Sequence, residues 1–258
     1  MHRILLLDSG VGGLSILDEL LALMPSLHIH YIADQKHFPY GEKSEDWLNE
    51  RVLNVLTRHT NKHPCDVIVI ACNTASTATL DTLRSHFKIP IVGVVPAIKT
   101  AASASETKQI GVLATPGTVK RSYLKNLIQE FAPEHQVKLV GSTELVKMAE
   151  TAIEGTPPCP QTINDIIKPF IDEPCDQVVL GCTHFPLLKQ HLSDLAPKIQ
   201  WVDSGKAVAK RVQSLLPFVD QNMNGTIERR FFSSAPISDT LLQNLMTSRQ
   251  LIGEYTDL

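Results

Sequence analysis

A duplicated segment is the feature that most constrains the fold of this chain. Residues 64–74, PCDVIVIACNT, return as residues 174–184, PCDQVVLGCTH, at a constant offset of 110 positions. A short apolar run rich in β-branched residues, bounded by breakers, is typical of a buried strand in a parallel sheet. Each copy therefore brings a cysteine, Cys72 or Cys182, to the carboxyl end of a strand. In α/β sheets this is the end where ligands bind.

Strand-like and helix-like segments alternate through most of the sequence. Predicted strands cover residues 4–7, 29–33, 67–71, 91–94, 110–114, 137–140, 178–180 and 199–202. Helical periods lie near residues 14–23, 45–59, 77–87, 119–131, 143–154, 162–171 and 187–195. This alternation predicts βαβ units and parallel sheets.

A second, weaker sequence repeat supports a duplication of the whole unit. Residues 7–10, LDSG, resemble residues 114–117, ATPG, at an offset of 107 positions. We therefore predict an α/β fold of two similar parallel-sheet α/β domains that face each other across an active-site cleft. The first domain is expected to hold residues 1–95 plus 208–258, and the second residues 96–207. Crossings near Val95-Pro96 and Ser204-Gly205 would return the C-terminal helices to the first domain.

Composition excludes several classes of protein. The 258 residues are 43% hydrophobic and carry a net charge of −3, without a basic stretch interleaved with aromatics, so no nucleic acid is expected as a partner. Asp8 interrupts the first apolar run, and no segment approaches the roughly 18 apolar residues of a membrane helix, so no membrane partner is expected. The predicted location is cytoplasmic. The odd number of cysteines, five, argues against a disulfide framework.

The spacing of the cysteines limits what they can do together. Cys65 and Cys72 are seven positions apart on one predicted strand, a separation of roughly 23 Å, so they cannot share a metal ion. The same holds for Cys175 and Cys182, and no Cys-x-x-Cys pair is present. Cys65 and Cys175 start their strands and are expected to be packing residues.

The other two thiols, Cys72 and Cys182, precede predicted helix starts. Backbone amides and the helix dipole there would favour a thiolate or a bound carboxylate. An open metal site built from Cys72, Cys182, His184 and Asp8 is an alternative. His184, two residues after Cys182, is a candidate proton-exchange group beside the thiol, with a structural histidine as the alternative.

A glycine-rich loop, DSGVGG at residues 8–13, follows the first strand. It nearly matches G-x-G-x-x-G, and Asp34 lies near the position of a ribose-binding acid, so a dinucleotide site is an alternative reading. However, Ser15 replaces the third glycine, and Asp8 would place a negative charge beside the phosphates. An acid at this strand end suits an ammonium group, or a proton relay to a thiol, better than a pyrophosphate.

Five motifs in order resemble the glutamate racemases of the aspartate/glutamate racemase family: DSGVGG at 8–13, FPYG at 38–41, ACNTA at 71–75, LATPGT at 113–118 and GCTHFPLL at 181–188. The resemblance runs from the first strand to about residue 212, and no motif is recognised from about Phe218 onward. It implies a cofactor-independent enzyme that interconverts L-glutamate and D-glutamate by a two-base mechanism. No cofactor and no metal are expected.

The resemblance also implies roles for individual residues. Cys72 would act on the D-enantiomer with Asp8 as its partner, and Cys182 on the L-enantiomer with His184 and Glu150, although Glu144 could be confused with Glu150. The amino acid would contact Ser9, Tyr40, Gly41, Asn73, Thr74, Thr183 and His184. Asp8 and the hydroxyl of Thr118 complete the expected substrate-binding set.

The family further implies that the product, D-glutamate, supplies peptidoglycan synthesis, and a homodimer is the expected assembly. Some members are activated by UDP-N-acetylmuramoyl-L-alanine. This chain begins directly at its first predicted strand and lacks the N-terminal extension of some activator-dependent members, which argues against that regulation but leaves it open as an alternative. Three other functions stay open: a racemase for aspartate or another amino acid, a thiol-based redox or metal enzyme, and a dinucleotide-binding oxidoreductase.

Overall fold

Two parallel β-sheets form the framework of the protein. The computed structural model describes residues 2–216 and 226–256, so Phe218 lies outside the described residues. The first half contains β1 (Arg3–Asp8), β2 (His28–Ala33), β3 (Val67–Ile70) and β4 (Ile91–Gly93). The second contains β5 (Gln109–Ala114), β6 (Gln136–Gly141), β7 (Gln177–Gly181) and β8 (Gln200–Val202). All eight predicted strands are thus confirmed.

The order of the strands shows the duplication. The four strands of the first half lie in the order β2-β1-β3-β4, and those of the second half in the equivalent order β6-β5-β7-β8. All pairs are parallel. The predicted α/β class, with two similar parallel-sheet units, is therefore correct. Because β3 and β7 hold equivalent places, the two copies of the repeated segment occupy equivalent positions.

Helices connect the strands and cover the sheets. They are α1 (Leu14–Leu23), α2 (Glu45–Thr60), α3 (Asn73–His86), α4 (Ile98–Ala104), α5 (Pro116–Lys120), α6 (Ser122–Phe131), α7 (Thr143–Ile153), α8 (Pro160–Asp172), α9 (Lys189–Leu195), α10 (Gly205–Leu215) and α11 (Asp239–Arg249). Serine or threonine side chains cap several of them; Ser44, for example, accepts a hydrogen bond from the Trp47 amide at the start of α2.

Two predicted helices have different bounds in the structure. The helix expected at 77–87 begins directly after Cys72, at Asn73. The helix expected at 119–131 is two helices, because Arg121 has an extended backbone (φ −72°, ψ 143°) between α5 and α6. The start of α3 matters for function, since its free amides follow Cys72 without an intervening loop.

The C-terminal region corrects the expectation that only helices return to the first half. Two further strands, β9 (Arg229–Ser233) and β10 (Ile252–Tyr255), extend the first sheet beyond β2 and make it six-stranded. The strand β9 starts with two arginines, and Arg230 pairs with Glu254 of the edge strand β10. Neither strand shows a continuous apolar run, which is why periodicity did not reveal them.

Each sheet is buried on both faces. Along β1, Ile4 and Leu6 belong to one apolar cluster, while Leu5 and Leu7 belong to another on the opposite face. Two more clusters cover the second sheet in the same way.

Helix α10 packs against α1, which ties the chain after residue 205 to the first half. We retain residues 1–95 plus 208–258 and 96–207 as proposed domain bounds. In the described ranges, no helix is both long and apolar enough to cross a membrane.

Candidate active site

Four strand ends converge on one cleft and supply its central side chains. In the first half, Leu7 pairs with Ile70, so Asp8 lies beside Ala71, and Cys72 is the next residue beyond that strand end. In the second half, Ala114 pairs with Gly181. Thr115 therefore lies beside Cys182, at the corresponding edge of the second sheet.

The thiol of Cys72 lies in a buried, acidic environment. It is 6% exposed and immediately precedes α3. Burial raises its pKa well above the usual range, the charge of Asp8 raises it further, and hydrogen bonds from the Ala75 amide and Ser9 offset this only in part. The expected effect of the helix start is present, since the Ala75 amide lowers the pKa of Cys72, but it is outweighed in the unliganded protein. Desolvation beside a carboxylate outweighs the helix dipole.

Asp8 is itself tuned by burial. Its side chain is fully buried, and burial raises its pKa to about 6, against the opposing charge of His184. The carboxylate accepts hydrogen bonds from the Gly10 amide at 2.8 Å and from the Thr183 hydroxyl at 2.9 Å. The bond from Thr183 joins the two halves. A carboxyl group that titrates near neutral pH is suited to proton exchange with a neighbouring thiol.

Cys182 has a different partner, an imidazole paired with a carboxylate. The Cys182 sulfur lies 3.7 Å from Nδ1 of His184, and Nε2 of His184 lies 2.6 Å from Oε2 of Glu150. Burial lowers the pKa of His184, but its contacts with Cys182 and Glu150 outweigh burial and raise the pKa well above the usual range. At neutral pH the imidazole is therefore charged.

Glu150, rather than Glu144, is the carboxylate that reaches the site. Glu150 is buried on α7, whereas Glu144 is exposed in the first turn of the same helix. Burial raises the pKa of Glu150, but hydrogen bonds from His184, Gln35 and the Val11 amide prevail and lower it. The side chain is therefore ionised and paired with the charged imidazole.

The glycine loop lets the two halves approach closely. A Cβ on Gly10 would lie 2.8 Å from both carboxylate oxygens of Glu150, and one on Gly12 would collide with the His184 ring. The Val11 amide between them donates to both oxygens of Glu150 at 3.2 Å. These glycines face a carboxylate and an imidazole of the other half, a use of the motif unrelated to phosphate binding.

Asp34 is fully buried and fully engaged with protein groups. It accepts hydrogen bonds from the Arg51 guanidinium at 2.9 and 2.8 Å and from the Tyr40 hydroxyl at 2.7 Å. It therefore offers no free oxygen of the kind a ribose-binding acid needs, which weakens the dinucleotide alternative. The Tyr40 hydroxyl is likewise bonded to Asp34 and is not free to bind another group.

Hydroxyl and amide groups line the cleft beside Cys72. Thr74, Thr115 and Thr118 form a triangle of hydroxyls with separations of 3.0, 3.2 and 3.4 Å. The amide of Asn73 is 2% exposed, and neither its nitrogen nor its oxygen has a hydrogen-bond partner. Buried polar groups are normally paired, so this amide is placed to bind a polar ligand.

The remaining predicted residues lie in the same region. Ser9 is buried and lies beside Asp8, 3.4 Å from Oδ1. Gly41 packs on Thr115, and a Cβ on Gly117 would lie 2.5 Å from the Gly41 carbonyl oxygen, so this edge of the cleft is also tightly closed. All the predicted site residues are therefore brought together around the two thiols.

A cavity of about 230 Å³ borders this region on the side of Cys182, and neither Cys72 nor Asp8 lines it. Its inner wall includes Asn73, Cys182 and Thr183, and its outer wall includes Lys189 and Asp203. Within the described part of the chain, no three His, Cys, Asp or Glu side chains are arranged to hold a metal ion. The predicted packing residues, Cys65 and Cys175, lie at the opposite strand ends among apolar side chains.

Sequence reasoning missed three residues at this site: Gln35, Thr115 and Ser15. Gln35 donates to Glu150, and the Ser15 hydroxyl lies 2.8 Å from the Thr183 carbonyl oxygen across the cleft. The sequence did mark Thr115, because the second, weaker repeat aligns it with Asp8 at the offset of 107 positions. No local pattern marked the other two, since their partners are more than 100 residues away.

Comparison with known proteins defines the family. The sequence profile of the Asp/Glu/Hydantoin racemase family matches residues 15–212. Among curated relatives, glutamate racemase from Klebsiella pneumoniae is 45% identical over 240 residues, which cover 92% of this chain and 85% of that protein. Glutamate racemase from Photorhabdus laumondii is 48% identical over 216 residues, covering 83% and 75%. The chain belongs to the Asp/Glu/hydantoin racemase family and, within it, to the glutamate racemases, which are isomerases.

Solved structures agree with this assignment. Escherichia coli glutamate racemase, in complex with L-glutamate and the activator UDP-MurNAc-ala, matches with a TM-score of 0.91 at 42% identity, over 98% of this chain and 97% of that one. Glutamate racemase isoform RacE1 from Bacillus anthracis matches with a TM-score of 0.85 at 27% identity, over 100% and 98%. The predicted resemblance is thereby confirmed over nearly the whole chain.

Proposed function

We propose that the protein interconverts L-glutamate and D-glutamate without a cofactor, with Cys72 and Cys182 as its two acid–base groups. The observation that carries this proposal is the placement of the thiols. Each follows the third strand of its half, each is 6% exposed, and each has its own titratable neighbour. Two groups on opposite faces of one carbon allow a proton to leave one face while another arrives at the other.

The proton balance of the reaction fits two thiols in opposite states. From L-glutamate, the Cys182 thiolate takes the α-proton and becomes a thiol, while the Cys72 thiol gives its proton to the opposite face and becomes a thiolate. The reverse direction exchanges these roles. The raised pKa of buried Cys72 keeps it a protonated thiol before substrate binds. This state suits Cys72 to donate a proton to the α-carbon when L-glutamate is the substrate. The charged imidazole of His184 supplies positive charge beside the Cys182 sulfur.

Polar groups in the cleft match the substrate. The carboxylate of Asp8 suits the ammonium group of an amino acid. The amide of Asn73, the free amides at the start of α3 and the hydroxyls of Thr74, Thr115 and Thr118 suit its carboxylates and the negative charge that develops beside the α-carbon. Fixed donors in a buried site stabilise such charge more than water-exposed donors do.

Family membership supports a proposal for the wider setting. D-glutamate made by this enzyme would serve peptidoglycan synthesis, in the cytoplasm, and a homodimer is the proposed assembly. The E. coli relative binds L-glutamate and UDP-MurNAc-ala in its structure. Racemisation assays with and without this nucleotide test whether the present enzyme responds to it.

The two-base proposal is tested by following each enantiomer of glutamate in D₂O. The wild-type protein should racemise both, with deuterium appearing at the α-carbon of the product. Cys72→Ala and Cys182→Ala should each lower racemisation by about 10³-fold, within the range for losing a general acid or base. Racemisation retained by either variant would exclude the two-thiol mechanism.

The same assay separates the alternatives. Turnover of aspartate at least equal to that of glutamate would change the assigned substrate. Loss of activity with a chelator, or a requirement for added NAD or flavin, would instead support metal or redox chemistry. Full activity with chelator and reductant is the expected outcome.

A further inference from the structure

The carboxylate of Glu150 receives most of its hydrogen bonds from the opposite half of the protein. Glu150 lies on α7 in the second half, where His184 is its partner. From the first half, Nε2 of Gln35 lies 2.5 Å from Oε1, and the Val11 amide lies 3.2 Å from both oxygens. The proton-carrying pair beside Cys182 is therefore completed by groups that meet it only when the halves are together.

Gln35 is held in a fixed position for this contact. It begins a 3₁₀ turn (Gln35–His37) directly after Asp34, whose carboxylate is anchored by Arg51 and Tyr40. The other amide atom of Gln35, Oε1, is buried without a hydrogen-bond partner. Rotating the amide would place that oxygen against the carboxylate of Glu150. The observed orientation therefore leaves a carbonyl oxygen unpaired in order to donate to a charged group.

We propose that Gln35 is a positioning residue that couples closure of the cleft to the charge of the His184–Glu150 pair beside Cys182. The inference rests on the proposed function and deepens it. When the halves separate, Glu150 loses Gln35 and the Val11 amide together, and a carboxylate with fewer donors binds its proton more tightly. Closure restores both donors, so the pair beside Cys182 stays ionised to lower pH in the closed state than in the open one.

Other titratable groups also face this carboxylate. Asp8 and Tyr31 of the first sheet sense the charge of Glu150, and Cys182 is linked to it through His184. Asp8 also titrates close to neutrality, because burial raises its pKa to about 6. The protonation of the His184–Glu150 pair must therefore be measured directly, in addition to the pH profile of the reaction.

Two substitutions with opposite electrostatic effects test the coupling. Gln35→Met keeps the length of the side chain but removes the donor, whereas Gln35→Lys places a cation near Glu150. The methionine variant should lower kcat/KM about ten-fold for both enantiomers, which is the lower range for losing a hydrogen bond to a charged group. It should also move the acid limb of the pH profile to higher pH. The lysine variant should move that limb downward.

A matched control is available on the surface. Gln161 donates to Asp165 at 2.9 Å on the exposed face of α8. Gln161→Met therefore removes the same kind of bond away from the cleft and should leave the kinetics unchanged. A merely structural role of Gln35 predicts that both Gln35 variants lose activity with unchanged or equally shifted pH limbs. That outcome would overturn the proposal.

The imidazole nitrogens of His184, followed by ¹⁵N NMR and assigned with His184→Asn, give a reading independent of turnover. The acid-side midpoint of their titration should rise in Gln35→Met and fall in Gln35→Lys. If the wild-type enzyme failed to racemise glutamate, the proposed function would be wrong, while this titration would still decide whether Gln35 controls the pair. Identical midpoints in wild type and both variants would refute the coupling.

Discussion

At the scale of single residues, two carboxylates on adjacent strands have opposite environments. Asp8 ends β1, and Asp34 follows β2. Burial raises the pKa of Asp8 to about 6. Burial also acts to raise the pKa of Asp34, but hydrogen bonds from Arg51, Tyr40 and His37 prevail and hold it far below its usual range. One carboxylate is therefore poised for proton exchange, and the other is a permanent structural anion.

Asp8→Asn should stabilise the protein at pH 8 while it reduces racemisation. Because the folded-state pKa of Asp8 is raised, its contribution to stability is present at low pH and is lost as pH rises through about 6. A neutral side chain removes this penalty, and the free energy of unfolding should rise by about 2 kcal/mol. Urea unfolding at pH 8 measures it; a lower free energy of unfolding would contradict the assignment.

Asp34→Asn should have the opposite effect on stability. The lowered pKa means that the stabilising contribution of Asp34 is present at neutral pH and is lost only as pH falls towards the folded-state pKa. Removing the buried negative charge that the Arg51 guanidinium binds should cost about 3 kcal/mol at pH 8. The same urea experiment serves as the comparison, and equal effects of the two substitutions would show that the environments do not differ.

At the scale of elements, a group of histidines joins α2 to the first sheet outside the active site. Nδ1 of His30 on β2 lies 2.9 Å from Nε2 of His59 on α2, and both rings pack edge-on against Phe232 of β9. Burial lowers the pKa of His30 to about 4 and that of His59 to about 3. The cluster therefore holds neutral imidazoles in the folded protein.

This cluster should make the fold sensitive to acid. The unfolded chain takes up protons below about pH 6.5 and the folded cluster does not. The free energy of unfolding should therefore fall by about 4 kcal/mol between pH 7 and pH 5, about 2 kcal/mol for each of the two imidazoles. His59→Gln should remove about half of this dependence. The control is His86→Gln at an exposed position on α3. Urea unfolding curves at pH 7 and pH 5 give the pH dependence of the free energy of unfolding for the wild type and the two variants. The same pH dependence in all three proteins would exclude the cluster as the cause.

At the scale of the whole molecule, the cleft is closed by backbone contacts that tolerate only glycine. A Cβ on Gly117, in the second half, would lie 2.5 Å from the carbonyl oxygen of Gly41 in the first half. On the opposite edge, Gly10 and Gly12 meet Glu150 and His184. Both edges must come together for the site to be complete.

Gly117→Ala should therefore hold the cleft open. We expect kcat/KM to fall by about 10²-fold, because misplacing reacting groups by about 1 Å has an effect of that size, with little change in urea stability. Gly141→Ala is the control, since its Cβ would meet Pro116 within the same half, and it should affect stability more than turnover. Wild-type activity in Gly117→Ala would show that this contact is dispensable.

Elements and site residues could be predicted from the sequence only where the pattern that marks them is local. The eight strands of the duplicated core were predictable because each is a short apolar run between breakers, and the thiols were predictable because each ends such a run. The strands β9 and β10 were not, since Arg229 and Arg230 start one of them and the other is an exposed edge. Gln35 and Ser15 carried no signal because their partners are distant in sequence.

By itself, then, the sequence determined a duplicated parallel α/β fold with a cysteine at the same strand end of each half, because hydrophobic periodicity and repeated segments are local properties of the chain. The tertiary structure alone decided the electrostatics. Whether Cys72 is a thiol, whether His184 is charged, and whether Glu150 or Glu144 is its partner depend on burial and on groups from the other half. Desolvation and close pairing fix protonation, and both exist only once the two halves meet.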